Sequence, residues 1–440
     1  MGQSTFRGGT HPYEGKELSM DSPIQVLEPK EELVFSMSQH IGAPATPVVA
    51  VGDTVKMGQV IGEASGFISA NIVSSVSGEV KAVEPRLLSS GAKATCVVIA
   101  NDGNYEPVPG LGEDRDYTQM SKEEIRQAIK DAGIVGMGGA GFPTNVKVTP
   151  KSEEDIDYVI VNGAECEPYL TSDYRLMLER PEEIVQGLRV VLSLFQNAKG
   201  VIAIEDNKPE AIAKLQYLTE DDPNLEVKVL KTKYPQGAER QIIYVVTGRK
   251  INSTMLPADA GCIVDNVQTM IAIYNAVCKC TPSMSRVVTL TGDAMMTPQN
   301  YEVKFGMSHA ELLEEGGGLR CEAPKLISGG PMMGMAMYDL NTPITKTSSS
   351  ILAMSKDEVA AWEPTNCIRC GRCGNVCPSH LVPQMMAQAA ERDDLEYFQK
   401  INGMECYECG TCTYVCPAKR RLTQIFKQAR RAVMDSRKKA

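Results

Sequence analysis

Cys367-Ile368-Arg369-Cys370-Gly371-Arg372-Cys373-Gly374-Asn375-Val376-Cys377-Pro378 is echoed by Cys406-Tyr407-Glu408-Cys409-Gly410-Thr411-Cys412-Thr413-Tyr414-Val415-Cys416-Pro417. Both runs have the form C-x-x-C-x-x-C-x-x-x-C-P. They hold eight of the chain's 14 cysteines. In a small secreted protein an even cysteine count reads as a disulfide framework. In a chain of 440 residues whose first ten are polar and Gly-rich rather than an apolar leader, it reads as metal ligation in a reducing compartment. The other six cysteines (Cys96, Cys166, Cys262, Cys278, Cys280, Cys321) are scattered, and most are expected to be small buried hydrophobes.

The spacing is that of the bacterial ferredoxin run, present twice. Three thiolates of one tight loop grip three corners of a cubane, and the fourth Cys, beside Pro, reaches the other cluster. This predicts that Cys367, Cys370, Cys373 and Cys416 hold one [4Fe–4S] cluster, and that Cys406, Cys409, Cys412 and Cys377 hold a second. Two zinc sites would also take four cysteines each, but the three-plus-one spacing and the repeated Cys-Pro do not suit zinc. Clusters that share ligand loops lie close together, as an electron wire requires.

Outward from this module the chain is ordinary in composition. Apolar residues make up 43% and charged residues 23%, which excludes collagen-like, mucin-like and bulk-disordered classes. The length suggests about three domains. No apolar run approaches the roughly 18 to 20 residues needed to span a bilayer. A net charge of −10 excludes a general nucleic-acid binder.

Up to about residue 110 the pattern is all-β, with short strands expected at 48–51, 60–62, 78–83 and 96–99. Segments 51–60 and 76–80 look like the two halves of a lipoyl or biotinyl domain. Residues 57–80 contain no lysine, so the resemblance implies a barrel-sandwich hybrid without its carrier lysine, serving docking or structure. From about 115 to 280 helix and strand alternate. A helix is expected over 121–132, with Ser121 capping ahead of Glu124 and Ile125, Ala128, Ile129 and Ala132 on one face. Strands at 158–161, 201–204 and 227–230 alternate with helices opening at Pro181 and Pro209. That alternation predicts an open, largely parallel sheet. Residues 285–340 return to short strands and glycines, and past about 345 the chain is expected to be helical. The expected domains are 1–112, 113–282, 283–340 and 341–440.

Gly136-Met137-Gly138-Gly139-Ala140-Gly141 satisfies G-x-G-x-x-G, but a helix precedes it and Phe142-Pro143 follows, contrary to the dinucleotide-binding context of strand then long helix. What remains is a loop whose backbone N–H groups can form a nest for phosphate or approach a flat ring closely. Lys147 could add a point charge on a phosphate. A tight helix-to-strand turn is the competing reading.

The longer string Gly136 to Lys147 resembles the flavin loop of the NADH-oxidising flavoprotein subunit of respiratory complex I and of hydrogenase diaphorase subunits. Three further segments match in order: Asn162-Gly163-Ala164-Glu165-Cys166-Glu167-Pro168, Tyr234-Pro235-Gln236-Gly237-Ala238-Glu239, and Asp265-Asn266-Val267-Gln268-Thr269. The resemblance implies FMN contacts at Gly136, Gly138, Gly139, Lys147, Asn162, Tyr234, Gly237, Glu239 and Asn266. It implies NADH contacts at Phe142, by stacking, and at Glu165 and Glu167. Met137, Ala164, Ala238 and Asp265 depart from that family's Arg, acidic residue, Glu and Asn.

The whole order is similar to the RnfC family, a component of the membrane Rnf electron-transport complex. It comprises a barrel without a carrier lysine, a flavin-loop domain, a β-grasp (SLBB-like) segment and an eight-Cys tail. The resemblance implies a multidomain α/β protein that joins NAD(H) to two [4Fe–4S] clusters through FMN. Such a protein is part of an oxidoreductase and translocase, peripheral on the cytoplasmic face of the cell membrane. Its implied partners are the other Rnf subunits, with ferredoxin reached indirectly and H⁺ or Na⁺ exported. The chemistry points the same way: nicotinamide exchanges electron pairs, a cluster passes one at a time, and flavin converts between them. A soluble diaphorase subunit and a flavin-free relay are the alternatives. Finally, residues 418–440 carry nine basic residues against one acid, Asp435, with Leu422, Ile425, Phe426, Ala429 and Val433 at helical spacing. Such a helix either lies on an anionic surface or packs its stripe on the cluster domain.

Overall fold

The computed structural model describes residues 4–30 and 32–439, with side chains as far as Arg437. Four strands form an all-parallel sheet in the order Leu225–Leu230, Lys199–Glu205, Tyr158–Gly163, Cys262–Asn266. Val159, Ile160, Val161, Ile202, Ala203 and Ile204 are buried on both faces, as a parallel sheet covered by helices demands. The helix Lys122–Asp131 carries the expected capping box between Ser121 and Glu124. Pro181–Leu192 and Pro209–Thr219 both open on proline, and the first buries Ile184, Leu188 and Val191. The chain moves outward from Tyr158–Gly163 through two strands, then returns to that strand's other side. Strand order therefore reverses between Tyr158–Gly163 and Cys262–Asn266. In open α/β sheets the crevice beyond the carboxyl ends at such a switch point is where ligands bind.

The N-terminal module is an antiparallel sandwich. One sheet runs Glu32–Ser36, Lys93–Asn101, Gly78–Leu87, Thr54–Val55, and the other Thr46–Pro47, Val60–Glu63, Ile72–Val73. Leu33, Phe35, Val55, Ile61, Ile72, Val80, Val97 and Ile99 fill its core. The strand expected at 48–51 is a turn instead. The Ala50 N–H donates to Asp53 Oδ2 at 2.8 Å, and Val51 is left exposed.

A six-stranded sheet follows, in the order Gln25–Leu27, Gln299–Lys304, Ser285–Thr291, Ser350–Met354, Lys325–Ser328, Met335–Ala336. Two of its strands come from outside 283–340. Gln25–Leu27 pairs in parallel with Gln299–Lys304. Ser350–Met354, expected to lie in a helical region, inserts between two strands and buries Ile351, Leu352 and Ala353. Their apolar run satisfies a strand covered on both sides better than an exposed helix.

In the cysteine-rich region the final helix, Leu422–Lys439, packs on the helices Pro383–Glu391 and Leu395–Lys400. Leu422, Phe426, Ala429 and Val433 are buried there and Ile425 is partly buried. The tail's apolar stripe is thus spent on the cluster domain and is not available to a bilayer. Its last basic side chains, at 438 and 439, lie outside the described residues. Of the six scattered cysteines, Cys96, Cys262 and Cys278 are buried, whereas Cys321 is exposed.

The barrel is joined tightly to the parallel-sheet domain. Met137, from the glycine-rich loop, is a member of the barrel's core cluster. Lys346 is buried at the junction, and its Nζ donates to the carbonyls of Asn71 and Gly133, both at 2.6 Å. Burial without a carboxylate partner pulls its pKa down to about 7. Lys346→Met should lower the melting temperature, since two carbonyls lose their donor at about 1–3 kcal/mol each. An unchanged melting temperature would show that these carbonyls find other donors.

Candidate functional site

Asn162 and Asn266 sit opposite each other at the carboxyl ends of the two strands that flank the switch point. Asn162 Nδ2 donates to the Gly237 carbonyl at 2.8 Å, and Asn162 Oδ1 accepts from the Ala164 N–H. Asn266 caps the helix Val267–Cys278 and donates from Nδ2 to Asp173. Gly138 lies against Asn266: a Cβ added there would stand 2.8 Å from the Asn266 Cβ. The switch point therefore gathers Gly138, Asn162, Gly237 and Asn266, drawn from four separate segments. The sequence did not reveal the half-buried Asp173 that orients Asn266. Its position eight residues beyond Glu165 carries no local signal.

The loop itself is closed by the Gly136 N–H donating to the Phe142 carbonyl at 2.9 Å and the Thr144 N–H donating to the Ile134 carbonyl at 3.0 Å. Only the four-residue helix Thr144–Lys147 follows, so the helix-opening phosphate site of a dinucleotide-binding fold is absent here. Gly138, Gly139 and Ala140 are exposed, and a Cβ at Gly139 would meet nothing within 4 Å. Phe142 is half-buried at the base of this mouth. An exposed, side-chain-free backbone above the crevice fits the approach of a flat ring, so FMN suits the residues present.

Lys147 is not a free phosphate ligand. Its Nζ passes beneath Gly136 and donates to Asp265 Oδ1 at 2.8 Å and to the Val264 carbonyl at 2.9 Å. It also lies within the electrostatic reach of Glu239, which opens the helix Glu239–Thr247 and is exposed. Asp265 Oδ2 is buried without a hydrogen-bond partner. The Asn-to-Asp departure at 265 thus supplies the lysine's counter-charge.

The two acids assigned to NADH by resemblance are already engaged. Glu165 accepts from the N–H groups of Asp173 and Tyr174, at the start of the helix Ser172–Glu179, with Lys16 Nζ 3.8 Å away. Burial pushes its carboxyl up to about 7. Glu167 Oε1 accepts from the N–H groups of Met332 (2.6 Å) and Met333 (3.1 Å), anchoring the loop after Lys325–Ser328. Burial raises it to about 6. Tyr234, expected at the flavin, is 2% exposed, and its hydroxyl donates 2.7 Å to the Cys409 carbonyl.

That bond leads into the cysteine-rich domain. Cys367, Cys370, Cys373 and Cys416 line one recess together with Arg420. Cys377, Cys406, Cys409 and Cys412 line a second, together with Glu408. Among the described residues no three His, Cys, Asp or Glu side chains converge as they would around a single ion. Each quartet surrounds a larger space, as a cubane requires. The second recess faces the parallel-sheet domain. Beyond Tyr234–Cys409, Arg240 pairs with Glu405 at 2.9 Å and stacks 5.9 Å from the Tyr407 ring centroid, and the Ser253 N–H donates to Glu405.

Comparison with known proteins matches four successive stretches of the chain to family domains. Residues 4–104 match the RnfC barrel sandwich hybrid domain, 129–275 the Nuo51 FMN-binding domain, 287–336 the SLBB domain and 361–417 the 4Fe–4S dicluster domain. The fold resembles that of an NAD⁺-reducing [NiFe]-hydrogenase crystallised in the H₂-reduced state, with a TM-score of 0.51 at 18% identity. That match covers 72% of this chain and 63% of the other. The RnfC-type component of the Na⁺-translocating ferredoxin:NAD⁺ oxidoreductase complex of Acetobacterium woodii is 43% identical over 435 residues, 99% of this chain and 98% of its own length. Its counterpart in the proton-translocating ferredoxin:NAD⁺ oxidoreductase complex of Clostridium ljungdahlii is 43% identical over 389 residues, 88% and 85% of the two chains. The counterpart in the ion-translocating oxidoreductase complex of Vibrio cholerae is 38% identical over 401 residues, 90% of this chain and 52% of its own. Similarity of this extent means that the chain belongs to the RnfC family of ion-translocating ferredoxin:NAD⁺ oxidoreductase complexes.

Proposed function

We propose that this chain is the NAD(H)-facing electron relay of such a complex, working with the other subunits on the cytoplasmic face of the membrane. It is an oxidoreductase component with an FMN-binding domain and a dicluster domain. No helix among the described residues is long and apolar enough to cross a membrane. The two relatives at 43% identity are named for different ions, so their likeness assigns no ion to this chain.

Bound FMN supplies the exchange between paired and single electrons. Gly138 and Gly139 admit it to the crevice, Asn162, Gly237 and Asn266 supply polar contacts, and Phe142 offers a ring for the nicotinamide. Lys147 acts at one remove, as half of a buried pair with Asp265. Glu165 and Glu167 shape the site by fixing a helix and a loop. Cys367, Cys370, Cys373 and Cys416 would hold one cluster, and Cys406, Cys409, Cys412 and Cys377 the other. The observation that carries this reading is the 2.7 Å hydrogen bond from Tyr234 to Cys409. It seats the loop of the second cluster on the segment leading to Gly237, so that cluster is proximal to the flavin and the first is distal. A flavin absorption band, with NADH-dependent dye reduction by the isolated protein, tests the whole reading, and absence of both would refute it.

Anaerobically purified protein should carry about eight Fe. Cys377→Ala should disturb the cluster of Cys406, Cys409 and Cys412, seen as loss of one of two electron-spin-resonance signals. Loss of the Cys367–Cys373 loop's cluster alone would sink the crossed assignment.

Phe142→Ala should raise the NADH Michaelis constant several-fold to tens-fold while FMN is retained, since a stacking contact contributes about 1 kcal/mol beyond its area. FMN loss with an unchanged Michaelis constant would mark Phe142 as a packing residue.

Glu165 titrates above the ordinary 4.5, at about 7. Its stabilising effect is therefore full at low pH and is lost as pH rises through that window. Glu165→Gln should flatten the melting-temperature profile there. Parallel profiles for variant and wild type would contradict the assignment.

A further inference from the structure

The two cysteine loops are related by an internal pseudo-symmetry, and the side chains it superimposes differ in charge. Arg369 and Glu408 occupy matching positions between the first and second cysteines of their runs, both with left-handed backbone at φ 57° and 62°. Lys419 and His380 match three residues beyond the Cys of each Cys-Pro, at φ 51° and 54°. Arg372 matches Thr411, and Ile368 matches Tyr407.

The face that these positions define is already occupied on the second loop. Cys409 accepts from Tyr234, Tyr407 lies beneath Arg240, and a Cβ at Gly410 would stand 3.0 Å from the Met332 carbonyl oxygen. Glu408 is neutralised by Arg430. On the first loop the same face is bare. A Cβ at Gly371, the counterpart of Gly410, would meet nothing within 4 Å. Residues 361–372 are all exposed, Cys367 and Cys370 among them, and Ile368 is 66% exposed.

The bare face is cationic. Arg369, Arg372 and Lys419 are exposed and make no ion pair among the described residues, and Lys419 stands 5.6 Å from the ring centroid of exposed Trp362. The contiguous exposed stretch 358–372 holds two acids, Glu358 and Glu363. Arg420, lining the first recess, is paired with Glu391. In a chain of net charge −10, an unpaired basic rim around accessible ligand cysteines is a local inversion. It would steer an anionic surface toward the cluster it encircles.

We infer that the rim Ile368, Arg369, Arg372, Lys419 and Trp362 is the docking surface for a protein that carries its own one-electron centre beneath an acidic surface. The second loop's face docks intramolecularly on the parallel-sheet domain, and the first loop's face does the same job between molecules. The apolar pair Ile368 and Trp362 gives close contact, and the cations orient the encounter. The electron leaves or enters through the exposed edge of Cys367 and Cys370. This inference rests on the two-cluster reading above.

The test uses the whole protein, reduced with dithionite, and an oxidised acidic bacterial-type ferredoxin as the probe. Its reduction is followed by stopped flow across a salt series. The wild-type rate constant should fall about tenfold from low to physiological salt and beyond. A variant combining Arg369→Gln, Arg372→Glu and Lys419→Glu should be about tenfold slower at low salt with a flat salt profile. The control Lys93→Glu, on the barrel, should behave as wild type. Electron-spin resonance of both clusters is recorded for each protein, and their absence from the wild type would overturn the two-cluster reading rather than the docking surface. Should the combined variant lose its clusters, Lys419→Gln alone and the wild-type salt series still decide. A salt-independent wild-type rate, or a rim variant as fast as wild type, would overturn the inference. So would rim-dependent binding to phosphatidylserine-containing vesicles with the ferredoxin rate unaffected, which would assign the cations to lipid.

Discussion

The hydrogen bond from the Tyr234 hydroxyl to the Cys409 carbonyl holds the cysteine-rich domain against the parallel-sheet domain. Electrons cannot be handed from a flavin to a cluster unless the two sites are held close and at constant separation. Here both ends of the bond are set by buried structure. Tyr234 is held by the parallel-sheet domain, with backbone bonds to Thr10 on its other side. Cys409 is held in a loop whose neighbours, Tyr407 and Gly410, are packed against that same domain and the loop at Met332. The pair of Arg240 and Glu405 and the bond from Ser253 add lateral restraint. The cluster domain is thereby a fixed extension of the flavin domain on one side and open on the other.

The barrel contributes to the same rigidity from a different direction. Met137 stands where the resembled flavin loops carry an arginine, and it is inserted into the barrel's hydrophobic core. The exchange of a charged side chain for an apolar one makes sense only because this chain has a barrel beside the loop. Thr269 Oγ1 accepts from the Met137 N–H at 3.0 Å, so the loop is held from the helix Val267–Cys278 as well. The barrel, which lacks a carrier lysine, acts as a buttress for the glycine loop.

Much of this was legible because it is written in local spacing. The cysteine runs, the Ser121–Glu124 capping box and the prolines at helix starts each specify their structure within a few residues. What was not legible depends on partners far away in the sequence. Glu165 and Glu167, assigned to a ligand by resemblance, also accept from distant backbone N–H groups, those on Glu167 coming from a loop of the six-stranded sheet. Tyr234, assigned to the flavin by resemblance, also reaches a carbonyl of the cluster domain through its hydroxyl. The strand Ser350–Met354 was assigned to a helical region because its short apolar run carries no period that separates strand from helix. The buried Lys346, with two carbonyls for partners, could not be distinguished by sequence from a surface lysine.

The N-terminal segment has a consequence for how the chain is made. Gly9 donates to the Val376 carbonyl, Thr10 pairs with Tyr234, and Gln25–Leu27 lies along Gln299–Lys304. These early residues thus find their partners only after residues 234, 299–304 and 376 have been made. Loop-closure entropy makes such distant pairings slow to form. The barrel can collapse early on local contacts, but the strand ahead of it must wait as an unpaired edge. The segment ahead of the barrel thereby ties the parallel-sheet and cysteine-rich domains to each other, through pairings that can close only once both domains exist.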